Sequence, residues 1–390
     1  MPRFEYQARQ QFYAQVAGGL EGEASAELAT LGASDVRPDY RGVSFSATMP
    51  VLYRVCYRAR LAARVLAPLA SFPCRGPDAL YRWVREIGIR DLMDVDERFV
   101  VLANVASEYV THSHYAVQRV KDAIVDQFRE RMGRRPSVDR DEPDVTLHLR
   151  VAEARATLSL DVSGGAMHRR HYRKRTVAAP IQETVAAAIV RATGWDGERP
   201  LVDPCCGSGT LLAEALMHYC RLPALYLRRR FGFERLPDFD AADWRDEREA
   251  AERERRELPD GLIAGSDVDA DAIEAARANL ASLPGGDRVS LRVRDFRASG
   301  SLANRTVVAN PPHGIRLGHA DEVQALCRDL GDVLKRQAPG SSAFIYLGER
   351  ELIKHIGLRP TLKQPLVSGA LDGRLCRYDI YAGGSPRPTS

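Results

Sequence analysis

Apolar positions along the chain recur with two periods, and the change from one to the other divides it. Alternation over 12–16 and 42–47 predicts strands, while three- and four-residue spacing over 22–31 and from 50 onward predicts helices. Residues 78–88 read as a helix, 99–105 as a strand, 115–132 as a long helix, and 145–151 and 156–161 as alternating strands. In the long helix Val117, Val120, Ile124, Val125 and Phe128 share one face, the expected core face. A different rhythm follows. Pro180 stands at the expected first position of a helix over 181–192, then strands at 201–203, 262–267, 289–293, 306–309 and 342–347 are separated mainly by helices at 210–219, 269–280 and 322–337. That succession predicts an α/β protein ending in an open, mostly parallel sheet with helices on both faces. The expected boundaries are 1–64 and 65–163 for two small α/β units, 164–180 for a linker, and 181–390 for the parallel-sheet domain. Residues 243–257, nearly all charge and alanine, read as a solvated helix or a mobile insertion.

Composition narrows the class. With 45% hydrophobic and 28% charged residues the chain builds ordinary cores, which excludes disordered and fibrous readings. No apolar stretch approaches the roughly 20 residues that span a bilayer, and the N-terminus lacks a secretory pattern, so a cytoplasmic protein without membrane contact is expected. Seven cysteines without a C-x-x-C pair suit neither a disulfide framework nor a zinc site, and no metal is assigned. A net charge of +4 says little about partners, but its distribution does. His168, Arg169, Arg170, His171, Tyr172, Arg173, Lys174 and Arg175 place five cations together without an acid, a candidate phosphate-contacting run. Arg134 and Arg135 extend that candidate surface.

Four strand ends carry the candidate chemistry. Asp203-Pro204-Cys205-Cys206-Gly207-Ser208-Gly209-Thr210 joins a strand to a helix through a glycine turn. The spacing is neither G-x-G-x-x-G nor a P-loop, and an acid there disfavours pyrophosphate and suits S-adenosylmethionine, whose methionyl end carries an ammonium. Asp267, ending the next strand, can accept from ribose hydroxyls, with Asp269 as helix N-cap. Asp295 can accept from an adenine amine, with Phe296 beside the ring. Asn310-Pro311-Pro312-His313 ends the fourth strand. A purine amine is a weak nucleophile because its lone pair is delocalised. Asn310 Oδ1 and the Pro311 carbonyl can accept its two N–H bonds and turn the lone pair toward a methyl donor, while the prolines stiffen the turn. Position 313 is placed to stack on an extruded base.

With these motifs, the chain from about 12 to 382 resembles the THUMP-containing class I methyltransferases that make N2-methylguanosine in RNA. Further matching stretches are Gly19-Leu20-Glu21, Arg134 through Asp139, Asp161-Val162-Ser163-Gly164 and Gly369 through Tyr378. The resemblance implies a ferredoxin-like unit and a THUMP RNA-binding unit before a Rossmann-like catalytic domain. It implies a cofactor site of Asp203, Pro204, Cys206, Gly207, Ser208, Gly209, Thr210, Asp267, Val268, Asp295, Phe296 and Asn310, with Asn310, Pro311, Pro312 and position 313 facing the target base. The family has Tyr where this chain has His313, which stacks when neutral and titrates near neutrality. Some relatives fuse a second methyltransferase half that this sequence does not contain, so one modification is expected. The expected activity is methylation of guanosine N2 in structured RNA by a monomer, with 23S ribosomal RNA ahead of tRNA. The rival readings are a non-catalytic ribosome-assembly factor on the same fold and a DNA adenine methyltransferase.

Overall fold

The structure, a computed structural model, describes residues 3–177, 180–312, 320–367 and 372–381. The chain forms two compact units, one of residues up to 16, 21–167 and 228–250, the other of 17–20, 168–227 and 251 onward.

In the first unit the chain runs through α1 (Glu5–Arg9), β1 (Gln11–Val16), α2 (Glu21–Thr30), β2 (Ser34–Asp39), β3 (Gly42–Ser46), α3 (Met49–Arg58) and β4 (Ala62–Pro73). It continues through α4 (Pro77–Glu86), β5 (Arg98–Ala106), α5 (Ser113–Met132), β6 (Ser137–Val138), β7 (Val145–Ala152) and β8 (Arg155–Asp161). One eight-stranded sheet results, in the order β2-β3-β1-β4-β8-β7-β5-β6. β4 is the seam: it pairs antiparallel with β1 on one side and β8 on the other, and it contains the expected boundary at 64/65. Strand alternation sorts the faces. In β7, Val145, Leu147, Leu149 and Val151 are buried while Thr146, His148 and Arg150 face the other way. α5 buries Val120, Ile124, Val125 and Phe128 and ends at Gly133, whose φ of 67° supplies the left-handed C-terminal stop.

After α6 (Glu183–Ala192), β9 (Leu201–Asp203) and α7 (Thr210–Tyr219) of the second unit, the chain passes through α8 (Ala241–Arg253), which belongs to the first unit up to residue 250. The second unit then continues with β10 (Ile263–Asp267), α9 (Ala270–Leu280), β11 (Ser290–Val293), β12 (Thr306–Ala309), α10 (Ala320–Gln337), β13 (Ser341–Leu347), β14 (Leu362–Pro365) and β15 (Arg374–Ile380). Its sheet order is β11-β10-β9-β12-β13-β15-β14, parallel through β13 and antiparallel at β15 and β14. The chain leaves β9 toward β10 and β11, then returns to the other side of β9 as β12. The point where strand order reverses therefore lies between β9 and β12, where open α/β sheets bind ligands.

Two expectations need correction here. Helix α6 begins at Glu183 with Gln182 in the N-cap position, so Pro180 precedes the helix rather than opening it. The charged stretch 243–257 is not a solvated insertion: α8 docks through Trp244 and Glu247. Trp244 meets Tyr57, Phe231 and Phe233 at ring distances of 5.1–5.2 Å, and Phe233 meets Tyr53 at 4.7 Å. Glu247, 4% exposed, accepts from Arg54 at 2.9 Å and Arg58 at 2.6 Å, both on α3. Gly232 lets the segment that carries Phe231 and Phe233 lie against the end of β8, since a Cβ there would come within 1.9 Å of the Asp161 carbonyl oxygen.

Candidate functional site

The loop after β9 is shaped by backbone geometry only glycine adopts freely. Gly207 and Gly209 have φ of 51° and 80°, and a Cβ on Gly209 would press to 3.1 Å from the Ala276 Cβ on α9. The loop is pinned to the neighbouring strand: Cys206 N–H donates to the Ser266 carbonyl at 2.9 Å, and Gly207 N–H to Asp267 Oδ2 at 2.8 Å. Asp267 Oδ1 accepts from Asp269 N–H at 3.1 Å, and Asp269 caps α9.

A cavity of about 460 Å³ opens at these strand ends, a size suited to a small-molecule ligand. Asp203, Pro204, Cys206, Gly207, Ser208, Thr210, Asp267, Val268, Asp295, Phe296, Asn310, Pro311 and Pro312 all line it. Of the expected residues, Gly209 stays behind the wall as the N-cap of α7, and His313 lies outside the described residues. Phe296 is 6% exposed and packs mainly into the core around Leu302, Val307 and Leu330, presenting little more than an edge.

Electrostatics separates the acids. Asp203 is 1% exposed, accepts one bond from Cys205 N–H at 3.0 Å, and meets no cation among the described residues. Burial pushes its carboxyl up to about 8, a backbone N–H opposing and the Asp267 charge adding to the rise. Asp295 sits differently: Arg297 binds its carboxylate at 3.0 Å, reaches Asp329 on α10 at 2.8 Å, and lies 4.9 Å above the Phe296 ring. Asn310 Oδ1 is buried and, among the described residues, has no hydrogen-bond partner, an acceptor left open just after β12.

The basic run divides. Arg170 is 1% exposed and binds Glu214 on α7 at 3.2 Å; Tyr172 is fully buried. Arg173 turns inward onto Glu183, Ser208 and Thr210. These three are corrected: they brace the unit and are not available to phosphate. Arg169, Lys174 and Arg175 are exposed and His168 partly so, with Arg175 paired to Glu274 at 2.9 Å. In the first unit Arg134 and Arg135 are exposed; Arg134 pairs with Asp96, and Arg135 borders a polar cleft.

Sequence reasoning missed Asn279. Buried on α9, it accepts from the backbone N–H groups of Lys174 and Arg175 at 2.6 and 3.0 Å and donates to the carbonyls of Arg175 and Ser208 at 2.9 and 3.0 Å. An amide on the same stripe as Ala272, Ala275 and Ala276 was the available signal.

Strand order, glycine loop and strand-end carboxylates define a class I methyltransferase. Residues 170–377 match the RMKL-like methyltransferase domain family, 74–161 the THUMP domain and 11–66 the RlmL ferredoxin-like domain. The chain belongs to the RMKL-like methyltransferase family, and S-adenosylmethionine is its methyl donor. It is 34% identical to a protein of Synechocystis sp. provisionally named an RNA methyltransferase, over 95% of this chain and 97% of that one. It is 40% identical to the ribosomal RNA large subunit methyltransferase K/L of Syntrophotalea carbinolica, over 95% of this chain and 53% of that one. The chain thus spans about half the length of the K/L relatives it matches. The crystal structure of SMU.472, provisionally titled a methyltransferase and complexed with SAH, aligns with a TM-score of 0.82 at 25% identity, covering 96% of this chain and 99% of that one. No helix among the described residues is long and apolar enough to cross a membrane.

Proposed function

We propose that this chain methylates the exocyclic N2 amine of a guanosine in structured RNA, with large-subunit ribosomal RNA as the substrate. The observation that carries the chemistry is the buried Asn310 Oδ1 on the cavity wall, which has no hydrogen-bond partner among the described residues. The THUMP match and the naming of the K/L relatives support RNA and the ribosome.

The cavity's residues fit the donor. A buried carboxylate without a protein cation is costly, and an ammonium brought by the ligand relieves it, so Asp203 would hold the methionyl amine. Asp267 would take the ribose hydroxyls, and Asp295, oriented by Arg297, the adenine amine. S-adenosylmethionine, when bound, supplies an electrophilic methyl group on its sulfonium. Asn310 Oδ1 and the Pro311 carbonyl accept the two N–H bonds of the target amine, which aims its lone pair and favours the positive charge growing on nitrogen. The proton then departs from a nitrogen made acidic by alkylation, so no strong base is required.

The test is incubation with labelled S-adenosylmethionine and separate pools of ribosomal RNA, tRNA and duplex DNA from cells lacking the gene, followed by nucleoside identification. N2-methylguanosine in the ribosomal pool is expected. The same nucleoside in tRNA alone would move the substrate, N6-methyladenine in DNA would overturn the reading, and no label with intact donor binding would favour an assembly factor. Asn310→Ala is expected to lower transfer about 10²–10³-fold while S-adenosylhomocysteine binding is largely kept, whereas Asp267→Ala should weaken that binding. Equal loss of binding in both variants would end this division of roles.

A further inference from the structure

Arg173 was expected on the RNA face, and the structure turns it toward the cofactor loop instead. Its Nη1 donates to Ser208 Oγ at 3.1 Å and its Nη2 to Thr210 Oγ1 at 3.0 Å, on either side of Gly209. Its Nε donates to Glu183 Oε1 at 3.0 Å, and Nη2 also reaches the Ile181 carbonyl at 3.4 Å. The guanidinium charge is therefore balanced by Glu183, and what remains is a rigid fork of donors.

A guanidinium has no acceptor, so Ser208 and Thr210 must present lone pairs to it. Each hydroxyl then has its proton left to give. Both residues are 3% exposed and line the cavity, and among the described residues neither hydroxyl donates to any protein acceptor. A buried O–H without an acceptor is costly. Beside them the first turn of α7, ten residues long, offers further N–H groups without intrahelical partners. The wall thus has two hydroxyl donors of fixed polarity with no acceptor among the described residues.

We propose that Arg173 is a positioning residue that polarises Ser208 and Thr210 into a donor pair for the α-carboxylate of the methionyl group. The inference rests on the cofactor reading above and deepens it. Asp203 receives the ammonium on one part of the wall, Ser208 and Thr210 the carboxylate on another, and the zwitterion is matched group by group. Lysine does not replace Arg173, because one ammonium cannot hold two hydroxyls and Glu183 in the plane the fork imposes.

The experiment is calorimetric titration with two ligands, S-adenosylhomocysteine and its decarboxylated analogue, which keeps the ammonium. The wild-type protein is expected to prefer the carboxylate-bearing ligand at least tenfold. Arg173→Met is expected to reduce that preference below threefold while affinity for the analogue changes less than threefold, and Arg173→Lys to restore it only in part. Should Arg173→Met not fold, Ser208→Ala with Thr210→Val carries the same expectation without disturbing Glu183. A variant that weakens both ligands equally assigns Arg173 a merely structural role and overturns the inference, as does a wild-type protein without preference. A wild-type protein that binds neither ligand removes the cofactor reading, and this inference with it.

Discussion

Residues 168–175 and 241–253 are both dense in charge, and both bury part of that charge by different geometry. The first is irregular, with a tight turn from the Arg170 N–H to the His168 carbonyl and a left-handed backbone at His171 (φ 68°), and it leaves Arg169 and His171 exposed while Arg170 and Tyr172 are buried. The second is helical, and Trp244 and Glu247, three residues apart, share the docked face. In the first segment the buried cation meets an acid on α7; in the second the buried acid meets two cations on α3. A segment's charge does not decide which way it faces. The path of the backbone, helical in one segment and turned in the other, selects the inward positions, and a partner of opposite sign makes a charge there tolerable.

Removing one member of a buried pair is the severest test. Arg170 and Glu214 both have fully buried side chains, so Arg170→Met should cost about 3–5 kcal/mol, because Glu214 keeps a charge it cannot hydrate. Denaturant unfolding measures it. Adding Glu214→Leu should recover most of the loss. A single variant within 0.5 kcal/mol of wild type would show that the run is not a brace and would break the comparison.

The helical segment should respond less. The Glu247 carboxylate is buried, but Arg54 is partly hydrated and can keep its charge in water. Glu247→Ala should therefore cost on the order of 2–3 kcal/mol, seen in unfolding of the first unit. The same unfolding in high salt should change little, since a buried carboxylate is poorly screened. An exposed helix would lose less than 0.5 kcal/mol and would lose it only at low salt.

How far the sequence could be read follows the same logic. Strand ends were legible because parallel strands are apolar runs and an acid or Asn just after one stands out: Asp203, Asp267, Asp295 and Asn310 all reach one cavity. β2, β6, β14 and β15 were not legible. β2 and β14 are exposed edge strands with no apolar alternation, and β6 has two residues. β4 was hidden because its buried positions do not alternate regularly and Pro68 interrupts its pattern. The inward turn of Arg170 and Arg173 depends on Glu214 and Glu183, 44 and 10 residues away, and no local pattern reports such partners.

The contrast repeats on a smaller scale between Asp203 and Asp267. Asp267 accepts from two backbone N–H groups, whereas Asp203 is buried with one and its carboxyl sits at about 8. In the free protein Asp203 therefore holds a proton below that pH, and binding an ammonium must expel it. Affinity for S-adenosylhomocysteine should rise about tenfold per pH unit from 6 toward 8 and release a proton, measurable from calorimetry in two buffers. The stability sign is opposite. The folded state binds this proton more tightly than the unfolded state, so Asp203 removes stability as pH climbs from about 4 to 8 and adds no further pH dependence above that. Asp203→Asn should flatten both profiles; a wild-type affinity unchanged across the range would place the ammonium elsewhere.

The smallest effect on stability is expected at Arg169, and it isolates what the basic segment does with its outward side. Arg169 neighbours Arg170 and carries the same charge, but it is exposed, so Arg169→Ala should change unfolding by no more than about 0.5 kcal/mol. Its effect should appear in RNA binding. Losing one phosphate contact lowers affinity and reduces the slope of log affinity against log salt by about 0.7–0.9, compared between 50 and 200 mM salt by roughly uniform titrations. Arg170→Met, measured where it remains folded, should leave that slope unchanged, because a guanidinium held at Glu214 releases no counterion from RNA. Two adjacent arginines would then separate cleanly, one read by denaturant and the other by salt. If both lowered the slope alike, the inward-facing residue would be reaching RNA, and burial at Glu214 would not be what separates these two side chains.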